Sequence, residues 1–341
     1  MLENLYNMAG KRLVIFTEAG EGIGYGHLMR CRAIADSFRD FNWEVTIHLH
    51  LKNVPPPNDF DVLVYNWYEA PQLELKGSFQ IAIIDSYLAP SESYKKVSSM
   101  VNYTCAIDDY NRFCYPASLV LNPGITSGLI NYSNQIAPVV YGKEYVLLRK
   151  EILLANKSNQ VFNTEIKIIT ITVGGSDIHN ILPLLGKIVF EEMPEVKLRI
   201  ILPDVKEAKE LKTNLPNAEI LGRQSANEII KLFQSSDLVI SACGQTLHEL
   251  AFLGTPFLGI LTGEDQRFNQ AYYLKAGILQ EEIKYSDATI IDKIRNQLQI
   301  LRNPEKRKFQ MQKLPELINE NGALNVCNKL ITNLNNLMLF K

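Results

Sequence analysis

The stretch GEGIGYGHLMRC, residues 20–31, sets Gly20, Gly22, Gly24 and Gly26 directly ahead of His27. Each glycine costs roughly 0.5–1 kcal/mol relative to alanine inside regular structure, so four of them so close together need a local reason. The spacing invites a dinucleotide fingerprint, G-x-G-x-x-G. The acidic residue that such a site places some 20 residues on is missing, however, because the next apolar segment ends IHLHL. What the stretch offers instead is backbone N–H groups at a helix N-terminus, with few side chains in the way. That suits close approach of a phosphate or a sugar, with Gly24 and Gly26 beside the imidazole. His27 falls at the start of the helix, where the macrodipole disfavours imidazolium and favours a neutral ring able to accept a proton.

Two further turns carry donors. TITVGGSD (170–177) reads as a strand ending in Gly174-Gly175 and leading into a helix. SACGQTLHELAFLGTP (241–256) reads as a strand, a small-residue turn and a helix. There Gly244, Gln245 and Thr246 would present N–H and hydroxyl donors to a diphosphate, and Glu249, one turn in, would accept from a ribose diol. Asp85, Asp109 and Asn122 stand at or near strand ends. His48 and His50 alternate on a strand and read as half-buried or surface residues, while His179 and His248 are isolated and read as structural or surface residues. The five cysteines (31, 105, 114, 243 and 327) are scattered and never in C-x-x-C spacing. Reduced thiols in a cytoplasm, without a structural zinc, fit that pattern.

The elements that must position these groups alternate. KRLVIFTE (11–18) reads as a buried strand, and HLMRCRAIADSFRDF (27–41) as a helix with Leu28, Cys31, Ile34, Ala35 and Phe38 on one face. Strands follow at 43–51, 60–67, 80–87, 104–109 and 118–124, with a helix at 91–101. Residues 151–165 are polar and irregular, a linker. The alternation then restarts with strand segments at 166–177, 196–203, 217–223, 237–244 and 255–261 and helices between them. A helical tail runs from about 287 to 338. Strands alternating with helices imply parallel sheets covered on both faces. The reading is therefore α/β, with two Rossmann-like doubly wound domains, 1–150 and 151–341, facing across a cleft. The second would carry the helical tail. Ligands of such folds sit at the carboxyl ends of the strands.

The balance of the chain narrows its partners. With 35 Lys and Arg against 37 Asp and Glu, the formal net charge of −2 gives no electrostatic reason to expect nucleic acid or an anionic membrane. The longest apolar runs, LVIF and IAII, are strand-length, far below the roughly 20 residues of a membrane span. MLENLYNMAGK has no apolar signal core, which points to the cytoplasm.

GIGYGHLMRCRAIADSF resembles the opening of the pseudaminic-acid-pathway nucleotide-sugar hydrolases, whose hallmark is G-x-G-H-x-M-R-C. AIIDSY (82–87), AIDD (106–109), VYGKEYVLLRKEI (140–152), VGGSD, SACGQTLHELAFLGTP, EDQRFNQAYYLKAG (264–277) and NENGALNVCNKLI (319–331) are similar to that family's successive segments. The resemblance implies a GT-B scaffold related to the lipid-II-forming N-acetylglucosaminyltransferase. It also implies metal-independent, inverting hydrolysis of UDP-2,4-diacetamido-2,4,6-trideoxy-β-L-altropyranose to UDP and free sugar, without a cofactor. His27 would be the base, and Gly24, Gly26, Asp85, Tyr87 and Asn269 would lie on the sugar side. Gly174, Gly175, Gly244, Gln245, Thr246 and Glu249 would hold the UDP. The chain departs from the pattern at Cys243-Gly244, where two glycines are usual, and at Asp265-Gln266, where Asn-Gln is common. Two other readings stand beside this one: a GT-B glycosyltransferase whose His27 deprotonates an acceptor hydroxyl, and a non-catalytic nucleotide-sugar-binding protein.

Overall fold

The computed structural model describes residues 10–54, 62–70, 73–125, 130–157, 161–175, 177–202 and 208–339. The chain divides into two compact units, Met1–Lys150 with Glu320–Lys341, and Glu151–Asn319.

The first unit opens with β1 (Arg12–Gly20), α1 (Gly26–Asp40), β2 (Glu44–Lys52) and β3 (Val62–Val64). It continues through β4 (Ile81–Asp85), α2 (Ser91–Ser98), β5 (Tyr103–Ile107), β6 (Leu119–Asn122) and β7 (Val139–Tyr141). The strands form one sheet in the order β3-β2-β1-β4-β5-β6-β7, and every pairing is parallel. Alternate residues of β1 serve opposite faces, because side chains on a strand alternate. Leu13 and Ile15 join the layer that holds Leu28, Cys31, Ile34 and Phe38 of α1, while Val14 and Phe16 join Trp67, Tyr94 and Tyr115 on the other side. The strand expected at 60–67 is observed as β3 alone, and its first two residues lie outside the described ones.

The short α3 (Lys150–Leu153) stands at the start of the expected linker. The second unit then runs β8 (Ile168–Thr172), α4 (Leu182–Glu192), β9 (Lys197–Ile201), α5 (Ala208–Asn214), β10 (Glu219–Leu221) and α6 (Ala226–Gln234). After it come β11 (Leu238–Ala242), α7 (Gln245–Leu253), β12 (Phe257–Ile260), α8 (Arg267–Lys275), α9 (Ile290–Arg302) and α10 (Pro304–Leu317). Its sheet order is β10-β9-β8-β11-β12, again all parallel. Among the described residues no helix is long and apolar enough to cross a membrane.

One boundary needs correction. The whole helical tail was expected with the second domain, but the last helix, α11 (Gly322–Leu339), belongs to the first unit. Its Ala323, Val326, Cys327, Leu330, Ile331 and Leu334 complete the apolar layer over α1 and the sheet. The pattern predicts the helix and its apolar face; which core receives that face is a tertiary matter. Gly322 fits there because a Cβ would stand 2.1 Å from the Val146 carbonyl oxygen.

Candidate active site

In both sheets the first strand lies between neighbours reached in opposite directions, β2 and β4 beside β1, β9 and β11 beside β8. Loops leaving the carboxyl ends of strands at such a switch point diverge and leave room for a ligand. The expected site residues other than Asn269 and Glu249 lie at or just beyond these strand ends, and Glu249 lies in the helix that follows β11.

In the first unit the glycine loop joins β1 to α1. Gly20, Gly22 and Gly24 have φ of +123°, +75° and +77°, a region that other residues rarely enter. A Cβ on Gly20 would stand 2.2 Å from the Lys52 carbonyl oxygen. The loop folds on itself: Gly20 N–H donates to Gly24 O at 3.0 Å and Gly24 N–H to Gly20 O at 2.8 Å. Glu21 N–H donates to Lys52 O and Ile23 N–H to Gly20 O. Those four donors are occupied inside the loop, while the N-terminus of α1, where donors are expected, has no side-chain cap and no acidic residue in its first turn; the glycines themselves shape the loop. They make a tight turn that delivers the N-terminus of α1 to the sheet edge. Gly26 differs: it is exposed, and nothing stands within 4 Å of where its Cβ would be.

That turn places His27, in the first turn of α1, against the end of β4. The ring is 5% exposed, and its Nδ1 lies 2.7 Å from Asp85 Oδ1. An ionised carboxylate only accepts, so Nδ1 donates to it, and Nε2 is the ring nitrogen left to exchange a proton. Asp85 is fully buried. Arg30, one turn on along α1, grips it through Nε to Oδ2 and Nη2 to Oδ1, both at 2.6 Å. Burial alone would raise the Asp85 carboxyl, but the charges of Arg30 and His27 and the hydrogen bonds from both hold it well below the usual carboxylate range. Asp85 was expected on the sugar side. With 0% exposure and its oxygens taken by His27, Arg30 and the Cys31 thiol at 3.5 Å, it orients the imidazole instead.

Arg30 also reaches Asp109 Oδ1 at 2.8 Å through Nη1, and the other Asp109 oxygen accepts the Tyr87 phenol. Tyr87 meets the His27 ring edge-on, with centroids 4.3 Å apart at 88°. Asn122 is buried elsewhere: its amide donates to the Tyr132 hydroxyl at 2.9 Å and its oxygen accepts Gly124 N–H at 2.7 Å, shaping a loop.

Sequence reading missed three groups here. Glu18, fully buried in β1, accepts the Ser86 hydroxyl and the Tyr87 and Leu88 N–H groups, the last two at 2.6 and 3.4 Å. Arg112 donates to the Tyr87 carbonyl and, at 2.6 Å, to the Ser86 carbonyl. Together they fix the loop that bears Tyr87. The third is Arg30 itself. A charged residue near the end of an apolar strand and an arginine three residues past the histidine were the available signals.

In the second unit β8 and β11 are neighbours, with Thr172 opposite Ser241. The Gly174-Gly175 turn and the Gly244–Thr246 turn therefore leave one edge of the sheet. Gly244 begins α7; no side chain caps this helix and its first turn holds no acidic residue, leaving an N-terminus suited to an anion. Gly244, Gln245 and Thr246 are partly exposed, and Glu249 is 5% exposed. The other turn does not open a helix as expected. The next helix, α4, starts at Leu182, and the Asp177 carboxylate takes the Ile181 and Leu182 N–H groups at 2.9 Å each. Gly174 (φ +86°) and Gly175 are exposed loop residues. Asn269, expected on the sugar side, donates to the Cys243 carbonyl at 3.0 Å and so steadies the Gly244 turn. Gln266 accepts from the Thr262 N–H and hydroxyl at 3.2 and 3.1 Å, with its Nε2 beside Gly244. His179 stacks on Tyr285, centroids 3.6 Å apart, and donates to the Thr262 carbonyl at 2.9 Å. Among the described residues no group of three or more His, Cys, Asp or Glu is placed to hold a metal ion.

The class of protein that this architecture defines is the GT-B fold. The chain is similar to MnaA of S. aureus with UDP (TM-score 0.63, 13% identity, covering 96% of this chain and 97% of that one). It is also similar to MurG of Acinetobacter baumannii (TM-score 0.62, 14% identity, 94% and 99%). No protein-family profile matches the chain. Among curated proteins it is 25% identical over 262 residues to the pseudaminic acid cytidylyltransferase and UDP-2,4-diacetamido-2,4,6-trideoxy-beta-L-altropyranose hydrolase of Helicobacter pylori, covering 76% of this chain and 46% of that protein. It is 24% identical over 288 residues to an uncharacterised protein of Methanocaldococcus jannaschii, covering 77% and 58%. The chain spans about half the length of these curated relatives.

Proposed function

We propose that this protein hydrolyses a UDP-linked 2,4-diacetamido-2,4,6-trideoxyhexose to UDP and the free sugar, a precursor for nonulosonate biosynthesis. The observation that carries the reading is the buried His27 whose Nδ1 is held by Asp85, and in this reading Nε2 accepts the proton. The hydrolase activity in the name of the H. pylori relative and the UDP bound in the S. aureus structure of the same fold supply the substrate class.

In this reading a water loses a proton to His27 Nε2 as its oxygen attacks the anomeric carbon. The bond from that carbon to the diphosphate oxygen breaks, its electron pair leaves with UDP, and the centre inverts. Inverting glycosidases normally add an acid to protonate the leaving oxygen. A nucleoside diphosphate departs as a stabilised anion, so one base suffices, contributing perhaps 10²–10⁴-fold. The uncapped N-terminus of α7 at Gly244–Thr246 and the loop at Gly174-Gly175 receive the diphosphate charge. Glu249 accepts from the ribose, and Tyr87 and Gly26 lie on the sugar side. The mechanism calls on no metal or cofactor.

A second reading is favoured by the fold likeness to MurG: the same base would deprotonate an acceptor hydroxyl. The deciding experiment is UDP release from a panel of UDP-2,4-diacetamido sugars in ¹⁸O-labelled water, with chelator and no acceptor. Label on the C1 oxygen of the sugar is the expected result. Tight UDP binding without release would overturn hydrolysis in favour of transfer.

A further inference from the structure

Five side chains of the first unit close into a ring. His27 donates to Asp85, Arg30 holds Asp85 with two nitrogens and Asp109 with the third, Asp109 accepts the Tyr87 phenol, and the Tyr87 ring returns to the edge of His27. We propose that Arg30 is the positioning residue of this ring. It sets the protonation state of His27 and the place of Tyr87 without touching substrate. The proposal rests on the reading of His27 as the base.

The argument is one of charge. His27 meets one carboxylate, Asp85, and one guanidinium, Arg30, which carries the network on to a second carboxylate, Asp109. With a neutral imidazole the group of four carries a formal −1; without Arg30 it would carry −2, and a second proton on the imidazole would be drawn in. Arg30 Nη2 stands 3.1 Å from Nδ1, where its charge opposes imidazolium directly. The other groups around the pair do not supply that charge. Cys31 on α1, Cys105 on β5 and Tyr94 on α2 are all pushed upward, first by burial, so they stay neutral near pH 7. Glu18 on β1 bonds the 86–88 loop, and Arg112 faces the Ser86 and Tyr87 carbonyls. Arg30 itself is held charged: burial opposes its charge, and Asp109 and Asp85 outweigh that. A lysine could balance the charge but not bridge both acids, because only a planar fork makes the three bonds at once.

The test compares Arg30→Met, Arg30→Lys and Asp109→Asn with the parent, following UDP release against pH, UDP affinity and the NMR titration of the His27 imidazole, assigned with His27→Asn. For Arg30→Met we expect kcat lower by about 50-fold or more, KM and UDP affinity within about threefold, and the acid limb of kcat/KM raised by at least about one pH unit. Arg30→Lys should return the acid limb to its parental position while leaving kcat reduced. Asp109→Asn should lower kcat about tenfold. An Arg30→Met protein whose His27 titrates as in the parent overturns the proposal. If that variant does not fold, an unchanged kcat in both Arg30→Lys and Asp109→Asn overturns it instead. The imidazole titration needs no turnover, so a parent that releases no UDP sinks the hydrolase reading while the titration still decides the role of Arg30.

Discussion

The two units share a topology and differ in what they place at their strand ends. The first concentrates charge in a dry setting: Asp85 and Glu18 are fully buried, and His27, Arg30, Asp109 and Tyr87 are joined side chain to side chain. The second sets out small residues and backbone: Gly174, Gly175 and Gly244, an uncapped helix end, and an amide, Asn269, that steadies the turn. The difference teaches a division of labour. A proton acceptor needs its tautomer and charge fixed by neighbours. A diphosphate needs donors that it can approach closely, and a side chain there is an obstruction.

The comparison breaks first at His27. His27→Asn should cut turnover at least about a hundredfold while UDP affinity stays within about twofold, measured by steady-state UDP release and calorimetry. Unimpaired turnover would remove His27 as the base. Asp85→Asn comes next, with turnover lower by about 30–100-fold as the tautomer is no longer imposed. It should also melt earlier, because Arg30 then lacks one of its buried counter-charges.

Gly244→Ala sharpens the other half. The residue has φ −84° and a Cβ there would meet nothing closer than Gln266 Nε2 at 3.8 Å, so the fold should tolerate it. We expect UDP affinity about tenfold weaker and kcat at saturation nearly unchanged. A fall in kcat with affinity intact would blur the division between the units.

The glycine loop holds a smaller contrast. Gly20→Ala forces a Cβ onto the Lys52 backbone and should lower stability by about 2 kcal/mol or more. Gly26→Ala, in open space at a helix start, should leave Tm unchanged or slightly higher and act on KM for the sugar nucleotide. Equal melting losses would erase the distinction between a conformational glycine and a space-giving one.

The last effect is one of pH, and it is common to both units. Burial lowers His48 in the first and His248 in the second from 6.5 to about 4. Between those values the unfolded chain binds protons that the folded chain does not, so stability falls as pH drops from 6.5 toward 4. Asp85, held low, keeps its contribution through that window. Tm should decline by a few degrees between pH 7 and 4.5; a flat profile would mean that these imidazoles accept protons in place.

Much of this was legible in the pattern of residues. Buried strands such as β1, β4 and β11 are short apolar runs, and α1 shows its face at Leu28, Cys31, Ile34 and Phe38, because periodicity survives in one dimension. His27 and the Gly244–Thr246 turn stand out because each starts a helix just after a strand, whereas Tyr87 stands out only through the resemblance of its segment, AIIDSY. Roles that depend on a partner distant in sequence were not legible. Asp85 lies 58 residues from His27, and only the pairing of β1 with β4 makes it an orienting group. Asp177, two residues past the Gly174-Gly175 turn, binds the Ile181 and Leu182 N–H groups and so caps α4, a role that the turn motif does not reveal.

Local pattern alone therefore set the two doubly wound sheets, the glycine loop and the identity of the imidazole, since each rests on spacing between near neighbours. Tertiary structure decided that α11 completes the first unit, that Glu18 and Arg112 clamp the 86–88 loop, and that Arg30 bridges Asp85 and Asp109. Each of those needs a direction in space and an environment of low dielectric, and neither is written in spacing along the chain.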